Sequence, residues 1–504
     1  MLGQHRRISL GMITKLLLMM LLTIPGCAAT QLSDEPAAST SLTKSVPPAQ
    51  IILDGDLSDW YGQTGIRADN DEVFVCFESY DETQAIQAAD FTTRIRIDAD
   101  GDQNTGMRSM YNADDPKSGQ KMMLSQGVDL TIDISPESEE FGELKGGSNI
   151  RLHTDHSTSR ISHADVGFYF LPTHSSPRYE MRLDRATMQL LQHDGPISVV
   201  VEHRAIGGDI LRTQSFTTTL PRYEPSKPIN DPIAAKPKEG VRVMSTNVLY
   251  SSPLKDPEPF ARVLDAMNPD AILYQEWFKT TQDDVRGWID EHLGKDWSLI
   301  MMDDRSGVAI ATRLKVVDAI TKPIIAHGDK YPSRVVAAVV ETDHGDHLIL
   351  ISLHLKCCGG AGSDEDAKRI AQAHQIHGLI LELREKYPDT GVVIGGDFNL
   401  VGTRTPLEMM SEGAGIDHQD LLPVPTTVLG TQSMLTWTQA KSSYTPGRLD
   451  WLLVDDHAWT PVRSWSLDTA RLSDHVLKES GLQRDDSRAT DHLPIVVDLV
   501  PKSD

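Results

Sequence analysis

Val393-Ile-Gly-Gly-Asp-Phe-Asn-Leu400 is an apolar strand that runs out at Gly395-Gly396 and delivers Asp397 and Asn399 two residues apart. Side chains alternate along an extended segment, so the two are expected to point the same way. A carboxylate beside a carboxamide at the end of a buried strand packs poorly but suits chemistry. The carboxylate can orient or deprotonate a nucleophile, and the amide can donate to a developing oxyanion. Working outward, the same half of the chain repeats the pattern. Residues 241–250 begin as an alternating strand carrying Asn247, 271–277 end beside Glu276, and 347–356 carry His354. Asp450 precedes the apolar run of 451–454, and Asp491-His492 precede that of 493–499. Strands with a polar group at one end describe a site built along a sheet edge. Taken singly each group has a plainer reading: Asp-His as a surface pair, His354 as a satisfied core histidine, Asn247 as a turn opener.

The set Asn247, Glu276, His354, Asp397-x-Asn399, Asp450 and Asp491-His492, in that order, resembles the endonuclease/exonuclease/phosphatase superfamily. Residues 306–313 (SGVAIATR) resemble that family's glycine-containing strand. The resemblance covers roughly 241–500 and implies an α/β four-layer sandwich, deoxyribonuclease I-like, using Mg2+ (or Mn2+). It assigns Asn247, Glu276 and Asp491 to the metal or its waters, as hard oxygen donors suit magnesium. It pairs His492 with Asp450 for proton transfer or stabilisation of the phosphorus centre. Asp397 would position the attacking water, Asn399 would donate to a phosphoryl oxygen, and His354 would contact the phosphate or assist the leaving group. The expected activity is hydrolysis of a phosphodiester: nucleic acid, lipid headgroup or small molecule. A sphingomyelinase-type phospholipase and a non-catalytic cell-surface binding protein remain as alternatives, because fold alone does not choose a substrate.

The N-terminal half is organised differently, so the chain is expected to be multidomain. Residues 1–27 combine Arg6, Arg7 and Lys15 with an apolar run over 16–24 and end on Gly26-Cys27. That run is too short to span a bilayer and fits an export signal. Gly26-Cys27-Ala28 resembles a bacterial lipobox, although Pro25 departs from the pattern. The expectation is a chain exported from a bacterial cell and held to the membrane by a lipid anchor on Cys27, plain secretion being the alternative. Residues 28–47 are small and polar, as in a flexible tether. Short alternating segments across 48–220, with turn residues between them, predict a β-sandwich. Leu53-Asp-Gly, Asp59-Trp60 and the loop from Asp98 to Gly106 resemble carbohydrate-binding family nine and DOMON-like modules, which implies a glycan ligand. Asp98, Asp100 and Asp102, with Asn104, alternate as calcium-loop ligands do, though Ser109 stands where an EF-hand has its glutamate. A structural Ca2+ there competes with a solvated Asx-rich turn. Residues 221–240 hold five prolines and read as a semi-rigid linker to the domain at 241–504.

Charge narrows the substrate. The net formal charge is −24, and residues 241–504 alone hold 26 Lys/Arg against 39 Asp/Glu. No basic stripe for gripping a long nucleic acid is present. Arg305, Arg313, Arg334, Lys356, Arg404 and Arg448 suffice for one local phosphate pocket. After Cys27 only Cys76, Cys357 and Cys358 remain, too few for a disulfide framework. Cys357 and Cys358 read more simply as thiols than as an adjacent-residue disulfide that would stiffen the turn beside the site. The amphipathic stretch 365–386 is expected as a helix with Arg369 and His374 on its surface.

Overall fold

The computed structural model describes residues 51–107, 127–138, 143–154, 156–225, 227–302, 306–325 and 332–502. The expected export signal with Cys27, the tether, Ser109 and Arg305 lie outside these residues. Residues Pro48–Asp504 form one compact unit.

Four sheets carry the described chain. In the N-terminal half a four-stranded sheet (65–68, 72–78, 178–184, 169–171) faces a six-stranded one (210–219, 196–204, 92–98, 130–134, 148–153, 158–161). Val73, Val75, Met181 and Leu183 of the first share a core with Ile95, Ile132, Val199 and Val201 of the second, the expected β-sandwich. Trp60 is buried with Leu53, Phe74 and Leu171 rather than displayed as a platform. Its indole donates to Glu180 Oε2 at 3.0 Å, while Glu180 Oε1 takes the N–H groups of Asp54 and Gly55 at 2.7 and 2.6 Å.

The C-terminal half contains two six-stranded sheets. One runs in the order 298–301, 309–312, 271–275, 241–247, 495–501, 459–466; the other runs 315–320, 334–341, 347–354, 391–397, 450–454, 422–423. Their inner faces meet through Val243, Leu273 and Ile310 against Val336, Leu350, Val393 and Leu452. Helices Pro257–Met267 and Gln282–His292 cover the outside of the first sheet, and Asp364–Lys386 covers the second. These are the four layers that the family resemblance implies. On the long helix His374 is exposed, but Arg369 is fully buried, a correction to its expected surface position. Its guanidinium donates to the carbonyls of Lys356 (2.8 Å) and Cys358 (2.7 Å) and to Asp366 Oδ1 (3.2 Å), so the burial of both terminal nitrogens is compensated while Nε has no partner.

The Pro-rich stretch is laid on the C-terminal half: Ile229 and Ile233 pack on its core, and Lys236 pairs with Asp270 at 2.5 Å. Backbone bonds also join the halves. Leu53 N donates to Gln432 O at 2.7 Å, Ser148 N to Ser443 O at 2.6 Å, and Ser175 N to Gly402 O at 2.7 Å. Thr173 Oγ1 reaches Leu400 O at 2.7 Å.

Candidate active site

Chain direction explains why distant residues meet. Strands 241–247 and 271–275 are parallel, so Asn247 and Glu276 emerge at the same edge. Strand 495–501 runs antiparallel to 241–247, so the residues before it, Asp491 and His492, arrive at that edge too. In the second sheet one row of register partners crosses four strands: Arg334, His354, Asp397 and Asp450. Parallel strands end there and antiparallel strands begin there.

The side chains converge accordingly. Asn247 Nδ2 lies 3.2 Å from Glu276 Oε1 and 3.3 Å from Asp397 Oδ2, bracketing two carboxylates from different sheets. Its Oδ1 accepts from Leu249 N at 3.0 Å. His354 Nε2 stands 3.5 Å from Asp397 Oδ2. His492 Nδ1 is 2.7 Å from Asp450 Oδ2, while its Nε2 faces Asp397 Oδ2 across 3.8 Å. That gap is too long for a direct hydrogen bond and leaves the Nε2 proton for another acceptor. Asp491 Oδ2 accepts from Trp437 Nε1 at 3.0 Å.

Asn399 reaches the site by a different route from the expected one. The strand stops at Asp397, and Asn399 adopts a left-handed φ of 47°. Its backbone N–H donates to Asp397 Oδ1 at 3.0 Å, so a local turn and not strand alternation joins the pair. Its Nδ2 donates to Leu355 O at 3.2 Å, which leaves one amide hydrogen for a substrate. Gly396 is required by space: a Cβ there would lie 1.9 Å from Leu353 O.

Electrostatics separates the two histidines. Burial, with Arg334, His492 and Lys356 adding like charge, drives His354 well below its ordinary value, so it is neutral. Burial also opposes charge on His492, but Asp450, Asp397 and Asp491 outweigh it and hold the imidazolium up to about 10. Burial pushes Asp397 up to about 8, with His492 opposing and Asp450 and Glu276 adding.

Of the cations expected in a phosphate pocket, Arg334 is at the site, its Nη1 3.5 Å from His354 Nδ1, and the charge of Lys356 is felt by His354. Arg313 instead pairs with Asp270 at 3.0 Å, and exposed Arg404 lies 3.7 Å from Glu408. Arg448 is buried over Trp451 at 3.5 Å, donating to Val424 O at 2.9 Å. Arg313 and Arg448 are corrections: a carboxylate and an aromatic partner elsewhere claim them. Sequence reasoning missed Thr436, whose Oγ1 accepts from Leu449 N and Asp450 N at 2.9 Å each, and Trp437, which seats Asp491. Neither stands at the end of a strand that would have marked it.

A divalent cation fits this donor set. Glu276, His354 and Asp397 offer ligand atoms all within 4.8 Å of one another. Asp491 is not in that group, but its Oδ1 is buried with no hydrogen-bond partner. Carboxylates with a neutral imidazole suit such an ion, and its charge would favour the ionised form of Asp397. In the sandwich, Asp98 and Asp100 come together with buried Asp129 as a second group of that kind, in which Asp129 takes the place expected for Asp102. Burial raises Asp129 to about 6.

Residues 244–475 match the model of the Endonuclease/Exonuclease/phosphatase family. The matched span holds Asn247, Glu276, His354, Asp397, Asn399 and Asp450, and Asp491-His492 follow it. No curated protein matches the chain. Among solved structures, the human nocturnin catalytic domain with bound sulfate is 20% identical, covering 53% of this chain and 97% of its own at a TM-score of 0.36. D. rerio TDP2 complexed with a single-strand DNA product is 16% identical, with 52% and 99% covered at 0.37. Beta toxin from Staphylococcus aureus is 16% identical, with 51% and 99% covered at 0.35. At these identities and TM-scores the likenesses say nothing about what this chain acts on.

Proposed function

We propose, from the premise that residues 244–475 are an endonuclease/exonuclease/phosphatase family domain, that the chain is a divalent-metal-dependent phosphodiesterase that cleaves a P–O bond by attack of water. The observation that carries this is the meeting of two sheet edges, which joins the Glu276–His354–Asp397 group to the His492–Asp450 pair. Asn247, Glu276 and Asp491, with His354 in reach, would hold the metal, and Mg2+ suits their oxygen donors. When bound, the ion supplies Lewis-acid polarisation of the phosphoryl group.

The chain's own residues account for the rest. Asp397, whose ionised form a bound cation would favour, would orient the attacking water and take its proton. His492, charged and fixed through Nδ1 by Asp450, presents Nε2–H to a phosphoryl oxygen or the departing oxygen. Asn399 offers its remaining amide hydrogen to a second phosphoryl oxygen, and Arg334 adds positive charge beside His354. The new O–P bond forms as the P–O bond to the leaving group breaks, and the leaving oxygen is protonated.

Export, anchoring through Cys27 and glycan binding by residues 48–220 belong to this proposal as its setting. The acidic balance supports a small or surface-presented phosphodiester over a long nucleic acid held tightly. The test is hydrolysis of bis-p-nitrophenyl phosphate, plasmid DNA and sphingomyelin in parallel, with magnesium or with EDTA. Turnover that needs the metal and disappears in His492→Ala and Asp397→Asn is expected. A chain that binds magnesium yet hydrolyses none of the three would overturn the reading.

A further inference from the structure

The rim of the site carries backbone strain that the chemistry described so far does not use. Leu249, Tyr250 and Ser251 are three consecutive residues at left-handed φ, 45°, 50° and 57°. None is glycine, so each departs from its preferred backbone region. The turn is held by site residues: Leu249 N donates to Asn247 Oδ1 at 3.0 Å, and Tyr250 N to Glu276 Oε2 at 3.1 Å. Ser251 Oγ reaches Phe278 O at 2.8 Å. Its product is a tyrosine ring left 58% exposed beside buried catalytic groups.

That ring is the outer end of a continuous aromatic shelf. Tyr250 and Phe278 have centroids 5.6 Å apart, and Phe278 and His354 are 5.8 Å apart. Arg334 lies 4.8 Å over the Phe278 ring. Phe278 is wedged in place by Gly307, where a Cβ would come within 2.5 Å of its Cδ1. The rings therefore run outward from His354, with Phe278 held by Gly307 and Tyr250 tilted 55° from it.

We infer that Tyr250 and Phe278 form a stacking subsite for a nucleobase attached to the scissile phosphate, so that the substrate class is a nucleotide phosphodiester with an unpaired base. This rests on the phosphodiesterase reading above. An exposed π-face beside a phosphate site is what unpaired bases stack on, whatever their sequence. A quaternary ammonium headgroup would also be attracted to aromatic faces. Here, however, the Arg334 guanidinium already covers Phe278 and repels a second cation, whereas a neutral planar base meets no such opposition.

Two esters with the same leaving group separate these cases: thymidine 5′-(p-nitrophenyl phosphate) and p-nitrophenyl phosphorylcholine, each assayed with magnesium. The readout is the ratio of their kcat/KM values, which cancels any general disturbance of the metal site. Tyr250→Ala should lower that ratio about tenfold, in line with the worth of one stacked base. Tyr250→Phe, which keeps the ring, should restore it. A ratio unchanged within twofold, or one that rises because the phosphorylcholine ester suffers more, overturns the subsite while leaving the phosphodiesterase intact. Failure of the unsubstituted chain to turn over either ester overturns the phosphodiesterase reading, and the subsite with it.

Discussion

Arg369→Met tests how the loops behind the site are held. The guanidinium is fully buried and donates to the carbonyls of Lys356 and Cys358 and to Asp366 Oδ1. Asp366 in turn accepts from Gly362 N at 3.2 Å and Thr403 N at 3.0 Å. One ion pair therefore pins the loop after His354 to the loop after Asn399. Methionine fills similar space but leaves a buried carboxylate without its cation and two carbonyls without donors. Removing one partner of a buried pair costs about 3–5 kcal/mol, because the other charge stays desolvated. Urea midpoints of Arg369→Met, Asp366→Asn and the double variant measure this. The double variant should cost less than the sum of the singles by at least about 1 kcal/mol. A single-variant loss under about 1 kcal/mol, or strict additivity, would refute the claim that this pair carries the loops.

Acid should weaken the fold through histidines buried in the neutral form, His203 and His174 among them. Burial lowers His203 and His174 to about 4, against an ordinary value near 6.5. Both stay neutral in the fold while the unfolded chain takes up protons, so stability falls as pH drops from about 6.5 to 4, by about 3 kcal/mol per histidine. His203→Gln should flatten that slope in urea midpoints taken at several pH values, and an unchanged slope would count against it. Gly396→Ala should be far worse than Gly395→Ala: the first meets the Leu353 backbone carbonyl at 1.9 Å, the second the flexible ends of Leu273 and Leu452 at 2.6 and 2.8 Å. We expect about 1–3 kcal/mol for Gly395→Ala and loss of the folded state for Gly396→Ala, read by near-ultraviolet circular dichroism; equal effects would contradict this. Magnesium should raise the thermal midpoint of the unsubstituted chain, and EDTA should reverse it. Glu276→Gln should respond at least tenfold more weakly in magnesium concentration, and an equal response would remove Glu276 from the metal's ligands.

The strand-end groups are legible because each stands at one end of an apolar run, and direction within a sheet then brings such ends together. Arg369 and Arg448 are not. An arginine is read as exposed or as anion-seeking, and only the folded chain reveals the carbonyls or indole that make its burial tolerable. Asp129 was missed because it lies in the next strand region, joined to Asp98 and Asp100 by antiparallel pairing and not by spacing. The strand Ile210–Thr219 is hard to read for a related reason: as an edge strand it buries no full face, so its residues carry a weak hydrophobic pattern. Asn399 shows the limit of alternation, since a period of two holds only while the strand continues.

The bonds from Thr173 and Ser175 to the carbonyls of Leu400 and Gly402 have a mechanical consequence. The segment they grip begins one residue after Asn399, so the sandwich acts as a wall of the catalytic pocket's foundation, not as cargo beside it. A chain cut at residue 240 would strip two donors from that segment and uncover the seam around it. The cut enzyme would then differ from the intact one in its turnover as well as in whatever the sandwich binds. Grafting a different module onto this hydrolase, or moving this one elsewhere, would meet the same obstacle, because the two halves share a boundary at which neither is complete.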